Sequence, residues 1–130
     1  MGMLLPDTSA WVGHLRQRSP VLSSLLISGE PIGYTEPVLM EVLMGARGDV
    51  EWYRLRRFIT GVTIIPFESV ADFESASWIF RQGRSVGVTV GKVDCLILAV
   101  ARRSTSTLMT ADQRQADLAE YVGIDVLRAA

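Results

Sequence analysis

"MLLPDTSAWVGHL", residues 3–15, decides how the rest of the chain is read. Leu4 and Leu5 begin a short apolar run of the kind that forms a buried strand. Pro6 and Asp7 break it, and Thr8 and Ser9 then open a segment with hydroxyl caps and helical spacing. A strand that turns at once into a helix is the first half of a βα unit. The carboxylate at the junction raises a question, because an ionised carboxylate away from water costs many kcal/mol unless it is paired or binds a cation. Asp7 either caps the helix or marks a site.

The same alternation continues along the chain. After the helix over residues 8–17, "SPVLSSLLIS" predicts a second helix closed by Gly29, and "PIGYT" a short strand. "EPVLMEVLMGA" carries an early Pro37 and a late Gly45, the expected asymmetry of a helix, with Thr35 as its cap. "VEWYRLRRFIT" is helical and stops at Gly61; "VTIIPF" is β-branched and predicts a strand. "SVADFESASWIFRQG" is a long amphipathic helix, and "KVDCLILAVARR" a nearly buried one with basic residues in its last turn. "TLMT" is a strand, "DQRQADLAEYVG" a helix ending at Gly123, and "IDVLR" a last strand. Strands alternating with helices predict an α/β layered fold around a mostly parallel sheet. At 130 residues the expectation is one domain over 1–130, with no repeats or linkers.

Composition narrows the function classes. Hydrophobic residues make up 48% and the mean hydropathy is +0.26, enough for a filled core with a surplus for a partner surface. The longest apolar run, residues 93–101, is too short for a membrane helix and carries Asp94. No basic region precedes the N-terminal apolar residues, so a secretory leader is not expected. The single cysteine, Cys95, excludes an internal disulfide, fits a reducing compartment and is read as a small core hydrophobe. The one histidine, His14, has no His or Cys at zinc spacing and is read as a surface residue. A net charge of −1 is not that of a nonspecific nucleic-acid coat, yet of the 13 basic residues all but Lys92 are arginines, the better phosphate fork.

The carboxylates carry the chemistry. Asp7 ends the first strand, and Asp112 follows "TLMT" by two residues. Asp94 lies in the first turn of the helix before that strand, and Glu41 lies within the helix after the second strand, among Met40, Val42, Leu43 and Met44. In parallel α/β folds ligands bind beyond the carboxyl ends of strands, so four acids set among apolar neighbours can meet at one edge. Two like charges about 4 Å apart repel by roughly 4 kcal/mol at an effective dielectric near 20. Four cannot all be ionised there without a cation, and oxygen-only ligands select Mg²⁺ or Mn²⁺. Such a cluster is suited to phosphodiester hydrolysis. Asp117, in a solvated helix, is a weaker member; Glu36, Asp49, Glu51, Asp72, Glu74 and Glu120 are read as ordinary surface charges. Other motifs fail: in "GVTVGKV" Gly87 and Gly91 are separated by three residues and Val93 stands where a phosphate loop has Ser or Thr. No dinucleotide glycine motif or nucleophile elbow is present, and "DTS" lacks the second acid of a D-x-D phosphatase.

Together "LLPDTSAWV", "EVLMGAR", "VDCLILAVARR" and "TLMTADQRQADLA" resemble the PIN-domain ribonucleases and, more narrowly, VapC-type toxins of bacterial toxin–antitoxin pairs. The resemblance spans nearly the whole chain in the right order. It implies a three-layer PIN fold and a cytoplasmic, metal-dependent endoribonuclease. Asp7, Glu41, Asp94 and Asp112 match the family's acidic positions, with Asp7 and Asp94 as main direct metal ligands and Glu41 and Asp112 acting directly or through water. Thr8 and Thr110 match supporting hydroxyl positions. A VapB-type antitoxin is the implied inhibitor, RNA the substrate, and a homodimer the common assembly. Arg16, Arg18, Arg47, Lys92 and Arg114 lie nearest the acids in sequence and are candidate RNA contacts; Trp52, Tyr53, Trp78 and Phe80 are candidates for core or interface. The alternatives are a non-catalytic PIN-like module that binds RNA or a partner, which has no reason to bear the acids' repulsion, and a metal-dependent DNA nuclease. Two departures stand out: Ala111 precedes Asp112 where the family often has a charged residue, and Pro6 removes an N–H from the first strand, which predicts that the strand ends or distorts there.

Overall fold

The βα alternation is realised in a computed structural model that describes residues 2–16 and 20–129. Arg18 and the end of the first expected helix, Gln17, lie outside the described residues. The elements are β1 (Leu4–Pro6), α1 (Thr8–Leu15), α2 (Pro20–Ile27), β2 (Gly33–Tyr34), α3 (Glu36–Met44), α4 (Asp49–Ile59), β3 (Thr63–Ile64), α5 (Ala71–Ser85), α6 (Lys92–Ser104), β4 (Thr107–Thr110), α7 (Gln113–Tyr121) and β5 (Val126–Arg128). All strand pairings are parallel: β1 with β4, β4 with β5, and β2 with β3. A single parallel bridge, Leu4 to Ile32, joins β1 to the segment leading into β2. No described helix is long and apolar enough to cross a membrane.

β1 ends at Pro6, as expected, and Pro6 keeps its place in the ladder. It pairs with Met109, and the Asp7 N–H carries the ladder one residue further by donating to the Met109 carbonyl at 2.8 Å. Leu4 donates instead to Pro31, on the other side of the strand, at 2.9 Å. Alternation along the strand therefore puts the missing N–H of Pro6 on the side of β2, where the described pairing is only the one bridge. The proline removes a donor from the side that has little use for it.

The core explains why α6 looked nearly apolar all round. Cys95, Ile97, Leu98, Ala99, Val100 and Ala101 are buried, and α6 packs along α5. β4 is central, so Leu108, Met109 and Thr110 are all buried, as in a strand covered on both faces. Gly83, inside α5, is required by a close approach: a Cβ there would stand 2.3 Å from the Val88 carbonyl oxygen.

Two surface readings are overturned. Asp72 is 1% exposed, not a surface charge. The Arg103 guanidinium, from the last turn of α6, donates through Nε to Asp72 Oδ1 at 3.0 Å and through Nη2 to Oδ2 at 2.9 Å, and Nη2 also reaches the Pro66 carbonyl at 2.6 Å. The Glu68 N–H adds a bond to Oδ2 at 2.7 Å. His14 is half-buried: its ring stacks on Phe58, with centroids 5.5 Å apart, and its Nδ1 lies 2.7 Å from Ser23 Oγ. It ties α1 to α2 and α4, and burial lowers its pKa. Of the four candidate aromatics Phe80, partly buried, packs against the core, while Trp52, Tyr53 and Trp78 are exposed. Cys95 is a buried free thiol, as expected, with its pKa raised to about 11 by burial and by Asp94.

Candidate functional site

Because β1 and β4 are parallel, their carboxyl ends open on the same edge of the sheet. Asp7 follows β1 there, and Asp112 follows β4. Each is also the N-cap of the next helix: Asp7 Oδ1 accepts the Ala10 N–H at 2.9 Å, and Asp112 Oδ1 accepts the Gln115 N–H at 3.1 Å. The positive ends of α1 and α7 thus lower the cost of holding these charges. Capping and membership of a charged cluster are not alternatives for Asp7; the residue does both.

Hydroxyls organise the floor. Thr110 Oγ1 donates to Asp7 Oδ2 and accepts the Asp112 N–H at 3.0 Å, so one side chain locks both acids to the end of β4. Ser9 Oγ donates to Asp7 Oδ1 at 2.6 Å and accepts the Ala111 N–H at 3.1 Å. Ser9 was not among the expected supporting residues, although its place two positions after Asp7, at the start of a helix, was the available signal. Thr8 Oγ1 turns the other way and donates to Glu41 Oε1 at 2.6 Å, linking α1 to α3 across 33 residues of sequence.

Asp94 is the acid the others act on. Its pKa is raised to about 6, first by burial and then by the charges of Glu41, Asp7 and Asp112, with a Gly91 backbone hydrogen bond opposing. Asp7 is raised as well, by burial first, against the pull of Ser9, Thr110 and Ala10, with Asp112 adding repulsion. Asp94 is therefore within electrostatic reach of the other three acids, and Asp7 of Asp112. Among the described residues none of the four forms an ion pair with Arg, Lys or His. Among the described residues the acids do not converge into a ready-made metal cage. The donor set is oxygen only, which fits a hard divalent ion and not zinc.

The remaining candidates separate. Asp117 is held by Arg128 at 3.0 Å on the exposed side of α7 and is not among the charges acting on Asp94 or Asp7. Arg16 and Arg47 line a cleft of about 270 Å³ that has Glu41 in its wall. Lys92 lines a different, apolar groove with Phe73, Phe80, Cys95 and Leu96. Arg114 Nη1 donates to the Thr89 carbonyl at 3.3 Å. Glu36 is exposed, but its Oε1 accepts the Phe67 N–H at 2.9 Å.

Residues 4–121 match the model of the PIN domain family. Ribonuclease VapC11 of Mycobacterium tuberculosis is 35% identical over 134 residues, covering 98% of each chain, and a VapC ribonuclease of Mycobacterium bovis matches to the same extent. Among solved structures, VapBC2 from Rickettsia felis bound to a fragment of its promoter DNA superposes with a TM-score of 0.79 at 17% identity, over 98% of this chain and 99% of that one.

Proposed function

This chain belongs to the PIN domain family, and from that membership we propose that it is a Mg²⁺- or Mn²⁺-dependent endoribonuclease, the toxin of a VapBC-type pair. The observation that carries the reading is the gathering of Asp7 and Asp112 at the carboxyl ends of two parallel strands, tied together by Thr110, with Asp94 and Glu41 near enough to add to the charge and no basic partner among the described residues. A cluster that strains against its own charge is one that a divalent cation relieves. The names of the relatives at 35% identity support ribonuclease activity.

Asp7 and Asp94 would hold the ion directly, with Glu41 and Asp112 completing the shell directly or through water. A bound ion would supply charge neutralisation at the phosphate and a water of lowered pKa. The chain's own part is positional. Thr110 fixes Asp7 and the backbone of Asp112 together, Ser9 fixes Asp7 to the loop after β4, and Thr8 aims Glu41. Such outer partners set the orientation of the ligand oxygens. No side-chain nucleophile is needed, and His14 is engaged with Ser23 and Phe58, away from any acid partner. We further propose a cytoplasmic location, a VapB-type antitoxin as inhibitor and a homodimer as the resting assembly, with the exposed Trp52, Tyr53 and Trp78 as available anchors.

The test is incubation of the purified chain with end-labelled RNA, and with DNA of the same sequence, in EDTA, Mg²⁺ or Mn²⁺. Cleavage of RNA only with metal, leaving 5′-phosphate and 3′-hydroxyl ends, is the expected result. A 2′,3′-cyclic phosphate, cleavage in EDTA, or preference for DNA overturns the reading.

A further inference from the structure

The cleft with Glu41 in its wall borders the acid cluster, but its chemistry differs. Its floor is apolar: Val12 and Leu15 from α1, Val42 from α3 and Leu55 from α4. Its rim carries three arginines from three separate elements: Arg16 at the end of α1, Arg47 between α3 and α4, and Arg54 on α4. All three are exposed, and none forms an ion pair among the described residues. The loop that presents Arg47 is held in place, because the Arg47 N–H donates to Glu51 Oε1 at 3.1 Å. Against three cations the cleft sets two acids, Glu41 and Glu51, and Glu41 is already engaged by Thr8.

Free arginines on three elements, converging on one cleft, are suited to an extended polyanion and not to a point charge. Glu41, whose charge acts on Asp94, stands in the wall of this cleft, so the cleft borders the acid cluster. We propose that Arg16, Arg47 and Arg54 bind backbone phosphates of the RNA on one side of the scissile bond, with the apolar floor receiving the sugar or base of an unstacked nucleotide. Arg54 is the new member; it falls three residues after Glu51 and one before Leu55, on the face of α4 that lines the cleft. The inference rests on the ribonuclease reading for the identity of the polyanion.

Binding of a short fluorescent single-stranded oligoribonucleotide to the full chain in EDTA, across a salt series, reads the contacts without cleavage. Each of Arg16→Gln, Arg47→Gln and Arg54→Gln is expected to lower the slope of log K against log salt by about 0.7, the single-strand value per phosphate contact. With Mn²⁺, Arg54→Gln is expected to raise KM by about tenfold with kcat unchanged, the pattern of lost uniform binding. Arg56→Gln, about 200° around α4 from Arg54, should change neither. Unchanged slope and KM in all three variants overturn the inference even if the wild type cleaves RNA. Altered slopes in a chain that cleaves no RNA leave the cleft assignment standing and overturn only the ribonuclease reading. Affinity lost for a co-purified antitoxin alone, with RNA slopes intact, also overturns it and gives the cleft to a protein partner.

Discussion

Asp7 and Asp72 are both 1% exposed and both lie at the start of a helix, yet they are held in opposite ways. Asp72 receives a bidentate guanidinium from Arg103 and a backbone N–H. Asp7 receives two hydroxyls and an N–H, and the charges around it and around its neighbour Asp94 are other acids. Burial alone does not mark a functional carboxylate; the sign of its surroundings does. Asp72 is satisfied within the chain, whereas the Asp7 cluster is satisfied only in its hydrogen bonds and, among the described residues, lacks a counter-charge.

That contrast breaks first at Asp94→Asn, where the largest effect is expected. RNA cleavage should fall by more than about 100-fold, beyond what loss of an outer partner causes. The metal-free melting temperature should stay the same or rise, because a like-charge repulsion is removed. Asp72→Asn should do the reverse: activity per folded molecule is kept, while denaturant unfolding shows a loss of about 3–5 kcal/mol from stranding Arg103. If the two variants shift stability in the same direction, the distinction between the two carboxylates is wrong. Thr110→Val sharpens it, since the hydroxyl serves Asp7 and Asp112 together. A 10–100-fold loss of cleavage is expected, with a stability cost of about 1–3 kcal/mol from the bonds left unmade.

A smaller effect is expected from pH. Asp94 stays protonated in the fold at pH values where it is ionised in the unfolded chain, since its pKa is raised from 3.8 to about 6. The folded state then binds more protons, so metal-free stability contributed by this group falls as pH rises between about 3.8 and about 6, and is level above that window. Urea midpoints across this range, compared with those of Asp94→Asn, isolate the effect; identical pH profiles for the two proteins would contradict it.

The sequence made the two halves of this comparison unequally legible. The acids of the cluster were visible because strand–helix junctions have local signatures: "LLPD" and "TLMTAD" each end an apolar run on a carboxylate, and Glu41 interrupts an apolar face. Parallel topology then brings their ends together. Asp72 was misread because its partner, Arg103, lies 31 residues away and a first-turn acid has an ordinary explanation in the helix dipole. His14 was misread for the same reason, since Ser23 and Phe58 are tertiary neighbours. That β1 ends at Pro6 was legible from the missing N–H; which side of the strand that N–H would have faced was not, because it depends on β2. Arg54 lies 13 residues from Glu41 in the sequence, and the α3–α4 packing that brings both to one cleft is not local.

If the four carboxylates hold a divalent cation, as proposed, the change in melting temperature of the full chain between EDTA and excess Mn²⁺ shows it. A ligand at 100 times its dissociation constant adds about 2.7 kcal/mol to the folded state. The expected result is a clear rise for the wild type and for Arg56→Gln, and little or none for Asp94→Asn. A wild-type melting temperature that does not move, or a rise that persists undiminished in Asp94→Asn, would contradict the account.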